Sequence, residues 1–447
     1  MTTIGAIATA NGIGAISIVR LSGPEAYPIA QKLLSPSSSH PPKKLIPRVA
    51  TLSKIYTLSG ELIDIGIVIY FKSPYSFTGE DVVEFQCHGG IGVTSLILEE
   101  LLKGGATLAQ PGEFTKRAFL NGKIDLSQAE AIAKLIESRS QKGVKFIARQ
   151  LSGELKRFVE EIRHRLIELM AYSEVSIDYG EEDLPDHLEW KMKQKLNQLE
   201  EILTEMVEGS RRRRGALIGY KVAIIGKPNV GKSSILNRLL NQNRAIVSSI
   251  AGTTRDTIEE DLLIGTHLIR IVDTAGIREA ENEIEKIGVE RSKQAIEEAD
   301  LILFVVDSSD FGMEDRQLFQ MVAKSEKEVI VVANKMDLNP DFRANFNFPL
   351  VKISAKKTIV PLVEKLESIL NQREGSEDLI LISQRQIGAV EKCQKEVGEA
   401  RLWLEKGELE LFSYHIREAI ETIGSISRPF EYDEMLDSLF SNFCVGK

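Results

Sequence analysis

The run Gly226-Lys227-Pro228-Asn229-Val230-Gly231-Lys232-Ser233-Ser234 fits the pattern G-x4-G-K-S and follows an apolar stretch, Val222–Ile225. Glycines at both ends let backbone N–H groups wrap a phosphate chain, and a helix starting here adds its positive dipole end. Lys232 is expected to reach the β- and γ-phosphates and Ser233 to hold Mg2+. Three further elements follow in order. Asp273-Thr274-Ala275-Gly276 closes a second apolar run; Asp273 suits water-mediated contact with Mg2+, and the Gly276 N–H suits sensing a γ-phosphate. Asn334-Lys335-Met336-Asp337 closes another, and the Asp337 carboxylate can accept from the amino and imino groups of guanine. Adenine lacks that donor pair, so the signal is for GTP. Ser354-Ala355-Lys356 would back the base.

Between the first two elements, Ser248-Ser249-Ile250-Ala251-Gly252-Thr253-Thr254 reads as a switch-like loop, with Thr254 as a second Mg2+ ligand. Where many GTPases place a water-orienting Gln after the Asp-x-x-Gly element, this chain has Ile277. A hydrophobic side chain cannot orient water, so another group must; Glu279, Glu281, Glu283 and Glu285 are the nearby carboxylates.

The elements that must position these residues follow from periodicity. Val222–Ile225, Leu268–Val272, Leu301–Val306 and Val329–Val332 read as buried parallel strands alternating with helical stretches, a doubly wound α/β P-loop domain over 216–372. Residues 1–120 mix β-like runs at 14–19 and 65–71 with turns and a helix-period stretch at Gly92–Lys103, an α+β pattern. Ser35–Lys44, rich in Pro and Ser, reads as a surface loop. Residues 121–215 read as helices, with Ser127 and Glu130 as a capping box and helical runs at Phe158–Tyr172 and Leu188–Val207. The helical period returns over 373–447, at Ile387–Leu404, Phe412–Ile423 and Tyr432–Phe443. A helical pattern on both sides predicts a discontinuous all-α bundle into which the α/β domain is inserted.

The 447 residues allow about three domains. Their net charge of -9 excludes a uniformly basic nucleic-acid coat. That charge is uneven: residues 1–215 balance, with 27 basic and 27 acidic, whereas 373–447 hold 9 basic against 15 acidic. Arg211–Arg214 is the one strong basic run, either a contact to nucleic-acid phosphates or a solvated hinge. Cys87, Cys393 and Cys444 are too few and scattered for a disulfide framework or a zinc site. The first basic residue after the start is Arg20, which gives no charged signal-peptide region, and no apolar run nears the roughly 18 residues that span a bilayer. The expectation is a cytoplasmic protein without a membrane.

Outside the α/β domain, four features stand out: Arg20 at the end of a β run; Glu84 and His88 in the segment Tyr75–Gly90; Lys123 after Pro111–Gly122; and the ending Cys444-Val445-Gly446-Lys447. Each alone is compatible with packing. Together with the domain order, they resemble the MnmE/TrmE family of tRNA-modification GTPases over the whole chain.

The resemblance implies an N-terminal domain that binds a tetrahydrofolate derivative (5-formyl or methylene form) and dimerises, a discontinuous helical domain and an inserted G domain. It implies a homodimer working with an FAD-dependent MnmG/GidA-type protein, as a heterotetramer, to install an aminomethyl or carboxymethylaminomethyl group on C5 of a tRNA wobble uridine. By position, Arg20, Glu84, Lys123 and Lys447 would hold the folate, and Cys444 would be a nucleophile or a neighbour of it. It selects Glu285 for the attacking water. It also implies that Asn229 holds K+ with Ser248, Ile250 and Thr253, so that GTP hydrolysis is K+-stimulated and tied to G-domain dimerisation. Two rival classes remain at this stage. A ribosome-assembly GTPase would need an appended RNA-binding module, and a folate-dependent one-carbon enzyme with a regulatory G domain would act without tRNA.

Overall fold

The computed structural model describes residues 2–10, 12–37, 44–179, 188–243, 260–272, 293–374 and 379–428, with 436, 440, 441, 443, 444 and 446 near the C-terminus. The chain forms two compact units. One comprises Met1–Ala133, Leu151–Glu168 and Arg417–Lys447, and the other Lys134–Gln150 and Leu169–Ile416.

The first unit is built on a six-stranded sheet of order β3-β4-β5-β2-β1-β6. Its strands are β1 Ile4–Ile7, β2 Ile16–Ser22, β3 Thr51–Tyr56, β4 Leu62–Phe71, β5 Val82–His88 and β6 Thr107–Leu108. Alternation along each strand sends Val19, Leu21, Ile55, Val68, Tyr70, Val83 and Phe85 into one core, capped by helices Ala26–Lys32 and Ile91–Lys103. The opposite face carries the paired residues Ile16 and His88, Arg20 and Glu84, and Ile67 and Leu52. Ile16, Leu52, Ile65 and Ile67 are exposed there. Helix Glu113–Leu120 follows, and Leu126 and Ala129 pack against Leu436 and Phe440 of the C-terminal segment.

The capping box at the start of helix Leu126–Glu137 differs from the sequence expectation. Asp125, not Ser127, is the cap. Its Oδ1 accepts from the Gln128 amide at 3.0 Å, and its own amide donates to Gln128 Oε1 at 3.0 Å. The helix begins at Leu126, directly after Asp125, so Ser127 lies inside the first turn, donating to Asp125 Oδ1 at 2.6 Å.

In the second unit a six-stranded sheet runs in the order β12-β11-β10-β7-β9-β8. These are β7 Tyr220–Ile225, β8 Glu260–Ile264, β9 His267–Val272, β10 Leu301–Asp307, β11 Glu328–Asn334 and β12 Leu350–Lys352. Every pairing is parallel except the β8–β9 hairpin. Both faces are covered. Val222 and Ile224 enter a core with helices Lys232–Asn243 and Val360–Glu374, while Ala223 and Ile225 enter another with helix Met313–Ala323. Burial on both sides is why these strands read as unbroken apolar runs.

The same unit contains helices Leu188–Arg212 and Gln384–Glu405, tied by Arg401–Glu200 at 2.7 Å and by Gln394 donating to Thr204 Oγ1 at 2.7 Å. The chain on either side of the α/β sheet is joined at their ends. Ser210 Oγ accepts from the Leu381 amide at 2.8 Å, and Gln150 Nε2 donates to the Ile380 carbonyl at 2.7 Å. Arg211, in the last turn of its helix, pairs with Glu391 at 2.6 Å.

Candidate functional site

The loop from Gly226 to Gly231 leaves the C-terminal end of β7, which lies between β9 and β10, where the chain crosses from one side of β7 to the other, the place an open α/β sheet offers to a ligand. Its backbone has little room for side chains. A Cβ on Gly226 would lie 2.3 Å from the Val305 carbonyl, and one on Gly231 2.2 Å from Asn334 Nδ2. Asn229 and Gly231 take φ of 62° and 98°, so the chain turns sharply into helix Lys232–Asn243. Lys232 folds back over the loop and donates to the carbonyls of Gly226 at 2.7 Å and Lys227 at 2.8 Å. Burial holds its ammonium below the ordinary lysine value. A cation poised on loop carbonyls can exchange those acceptors for phosphate oxygens.

Asn334, at the end of β11, joins three parts of the site. Its Nδ2 donates to the Val230 carbonyl at 2.9 Å, and its Oδ1 accepts from the Ala355 amide at 2.9 Å. Lys335 takes φ 60° and pairs with Asp307 at 2.6 Å. Burial raises the Asp307 carboxyl, but the Lys335 ammonium and Ser309 outweigh it and leave its pKa lowered. Asp337 Oδ1 accepts from the Ser354 hydroxyl at 2.6 Å, which holds its carboxyl below the usual range and keeps it an acceptor. The phosphate loop, the Asp337 carboxylate and the Ser354-Ala355-Lys356 turn are therefore brought together. Ser248–Thr254, Asp273–Gly276, Ile277, Glu279–Glu285 and Lys447 lie outside the described residues.

In the first unit the antiparallel register sets Arg20 opposite Glu84, and the guanidinium Nε and Nη2 both reach Glu84 Oε1 at 2.8 Å. Arg20 also lies over the rings of Phe77 and Phe114, 6.0 and 5.7 Å from their centroids. Lys123 donates to the Pro74 carbonyl at 2.9 Å, in the loop that carries Phe77. The C-terminal segment reaches the same domain: the Gly112 amide donates to the Cys444 carbonyl at 3.3 Å, and a Cβ on Gly446 would lie 2.3 Å from the Ile7 carbonyl. Cys444 is exposed. His88 is not brought into this group; it is exposed and bonded to Asp64 at 2.8 Å.

Residues 3–123 match the model of the GTP-binding protein TrmE N-terminus, and 126–444 match that of the MnmE helical domain. The tRNA modification GTPase MnmE of Aliarcobacter butzleri is 54% identical over 447 residues, covering 100% of this chain and 99% of the relative. Those of Sulfurimonas denitrificans and Wolinella succinogenes are 54% and 49% identical, again over 100% of this chain and 99% and 98% of the relatives. The chain belongs to the MnmE family of tRNA modification GTPases.

Within this MnmE-family chain, sequence reasoning missed the two rings flanking Arg20. Phe77 and Phe114 are 37 residues apart, and only the fold brings them to one side chain. It also missed a buried polar network beside that site. Ser22 Oγ bonds Thr78 and Glu80 at 2.7 Å each, and Arg117, 5% exposed, bridges Glu80 and Glu113. The nearest signal was the density of Glu, Thr and Arg in the two segments that carry Glu84 and Lys123. Cys393 is fully buried, and burial pushes its thiol up to about 12, which leaves it inert. Among the described residues no helix is long and apolar enough to cross a membrane.

Proposed function

We propose that this chain hydrolyses GTP in a K+-stimulated cycle coupled to modification of C5 of a tRNA wobble uridine, using a one-carbon unit from a folate held in its N-terminal domain. The observation that carries the reading is Asn334, which ties the phosphate loop to the turn behind the base while Asp337 stays an acceptor beside Ser354. A guanine nucleotide needs both ends of such a site, phosphate and base, held in one geometry.

In the GTP step, Lys232 exchanges its loop carbonyls for β- and γ-phosphate oxygens. The backbone of Asn229–Ser234 cradles the phosphates, and Asp337 accepts from the guanine edge. Ser233 and Thr254 would hold Mg2+, and Asp273 would reach it through water. Asn229, Ser248, Ile250 and Thr253 would hold K+. Cations held by these residues would supply positive charge to offset the negative charge that develops during phosphoryl transfer. Glu285 orients the attacking water in place of the Gln that Ile277 displaces. Ser249, Ala251, Gly252, Thr274, Ala275, Gly276 and Lys335 would line the same nucleotide.

For the folate, the donor set is chemically suited. Both Arg20 contacts fall on Glu84 Oε1, so Oε2 suits the amino and imide edge of a pterin, and the exposed Phe77 ring offers a flat apolar face, while the buried Phe114 ring backs the Arg20 guanidinium. Lys123 and Lys447 suit the glutamate carboxylates. The folate supplies the one-carbon unit; the chain binds and orients it, with Cys444 beside it as a nucleophile or a neighbour.

The domain division 1–120, 121–215, 216–372 and 373–447 accords with this cycle. Its insertion is supported by the side-by-side tie of Ser210 to Leu381 where the chain enters and leaves the α/β sheet. The exposed Ile16, Leu52, Ile65 and Ile67 supply an apolar sheet face for the homodimer, and an FAD-dependent MnmG/GidA-type protein is the second partner in the cytoplasm. Calorimetry of 5-formyltetrahydrofolate binding to wild type and Arg20→Ala tests the folate site. Binding to wild type and its loss in the variant support it; equal affinity removes Arg20 from it.

A further inference from the structure

We propose that Lys227 is a positioning residue for the phosphate loop, acting through an ion pair with Asp315 and not by touching the nucleotide. Lys227 is the second residue of the loop, and its side chain is only 12% exposed. Its Nζ donates to Asp310 Oδ2 at 2.9 Å and to the Asp310 carbonyl, and it lies 3.0 Å from Asp315 Oδ2. Asp310 is a surface residue, but Asp315 is fully buried. Asp315 Oδ2 also accepts the Gly312 amide at 2.9 Å, and its Oδ1 has no partner among the described residues. Lys227 is thus the cation that balances a buried carboxylate in the first turn of helix Met313–Ala323.

That helix follows β10, the strand beside β7, so the pair fastens the start of the phosphate loop to the next βα unit. The main chain of Lys227 also takes part, because its carbonyl is one of the two acceptors that hold Lys232. Asn334 fixes the far end of the loop at Val230. With both ends held, the amides between them keep their spacing before a phosphate arrives. Freeing the near end lets the carbonyls under Lys232 drift, and shifts of about 1 Å in such a site cost up to about a hundredfold in rate.

Removing Lys227 alone would also leave a buried charge uncompensated, which destabilises the fold for a separate reason. A double variant separates the two effects. This inference rests on the loop being the GTP site, so the probe is N-methylanthraniloyl-GDP, with GTP turnover alongside. Binding is read in the full-length chain well below the unfolding midpoint of each variant. Lys227→Arg should bind within about threefold of wild type, since it restores the cation. Lys227→Met should unfold at a lower temperature. Lys227→Met with Asp315→Asn should regain stability over Lys227→Met yet bind the probe about tenfold more weakly than wild type, with KM for GTP raised more than kcat is lowered. Wild-type affinity and KM in the double variant would overturn the proposal and leave the pair a purely structural one. Failure of the wild type itself to bind the probe would strike the nucleotide reading instead.

Discussion

The side-chain amide of Asn334 donates to the main-chain carbonyl of Val230, 104 residues earlier in the chain, at 2.9 Å. This single bond fixes the phosphate loop against the strand that presents Asp337, and the same side chain accepts from Ala355 behind the base.

Asn334→Ala leaves the buried Val230 carbonyl and Ala355 amide without partners, each costing about 1–3 kcal/mol. Affinity for a fluorescent GDP analogue should fall by about tenfold to a hundredfold, read by equilibrium titration. Unchanged affinity would mean that Asn334 does not organise the site.

Replacing Asp337 by Asn swaps an acceptor for a group that can also donate, while Ser354 keeps an oxygen to bond. Guanine then meets a donor against its own donors, whereas xanthine presents a carbonyl there. GTP turnover should drop by at least about a hundredfold and xanthosine triphosphate should become a substrate. A variant that still prefers GTP would place the base elsewhere.

Lys232 carries a pH signature. Its folded pKa lies below the unfolded value because burial disfavours its charge. The folded state therefore binds fewer protons, and the cost of keeping the ammonium charged, present at neutral pH, fades as pH rises through the folded pKa toward 10.5. In denaturant unfolding without nucleotide, wild type should gain stability relative to Lys232→Met between about pH 7 and 10, while the variant is inactive at every pH. A gap that stays constant, or moves the other way, contradicts the burial argument.

Gly112 sits at φ 68°, and a Cβ there would lie 2.5 Å from the Phe440 carbonyl. Gly112→Ala should cost about 1–2 kcal/mol in stability and push the C-terminal segment off the N-terminal domain. Calorimetry should show weaker 5-formyltetrahydrofolate binding with GDP affinity intact. Undiminished folate binding would separate the C-terminus from that site.

Much of the α/β site is legible in the sequence because its strands are buried on both faces and its turns use residues few other turns require. Val222–Ile225 and Leu301–Val306 extend in the structure by two residues and one, to Tyr220–Ile225 and Leu301–Asp307. The helix expected at Gly92–Lys103 starts at Ile91. Short strands such as β1 and β6, four and two residues long, carry too little pattern to stand out. Asp125 and Ser127 are both residue types that cap helices, and only the reciprocal bonds between Asp125 and Gln128 choose between them. The Lys227–Asp315 pair and the rings around Arg20 join residues far apart in the chain, so no local spacing announces them. Arg20, at the end of a β run, and Glu84, in the segment Tyr75–Gly90, are singled out in the sequence, and only the strand register puts them in contact.

The most direct test of the hydrolytic mechanism is GTP turnover in KCl and in NaCl at equal ionic strength, for wild type and for Glu285→Ala. Turnover of the wild type should be faster by about tenfold or more in KCl. Glu285→Ala should lose turnover in KCl while still binding GDP. Equal rates in the two salts, together with full activity in the variant, would contradict the mechanism.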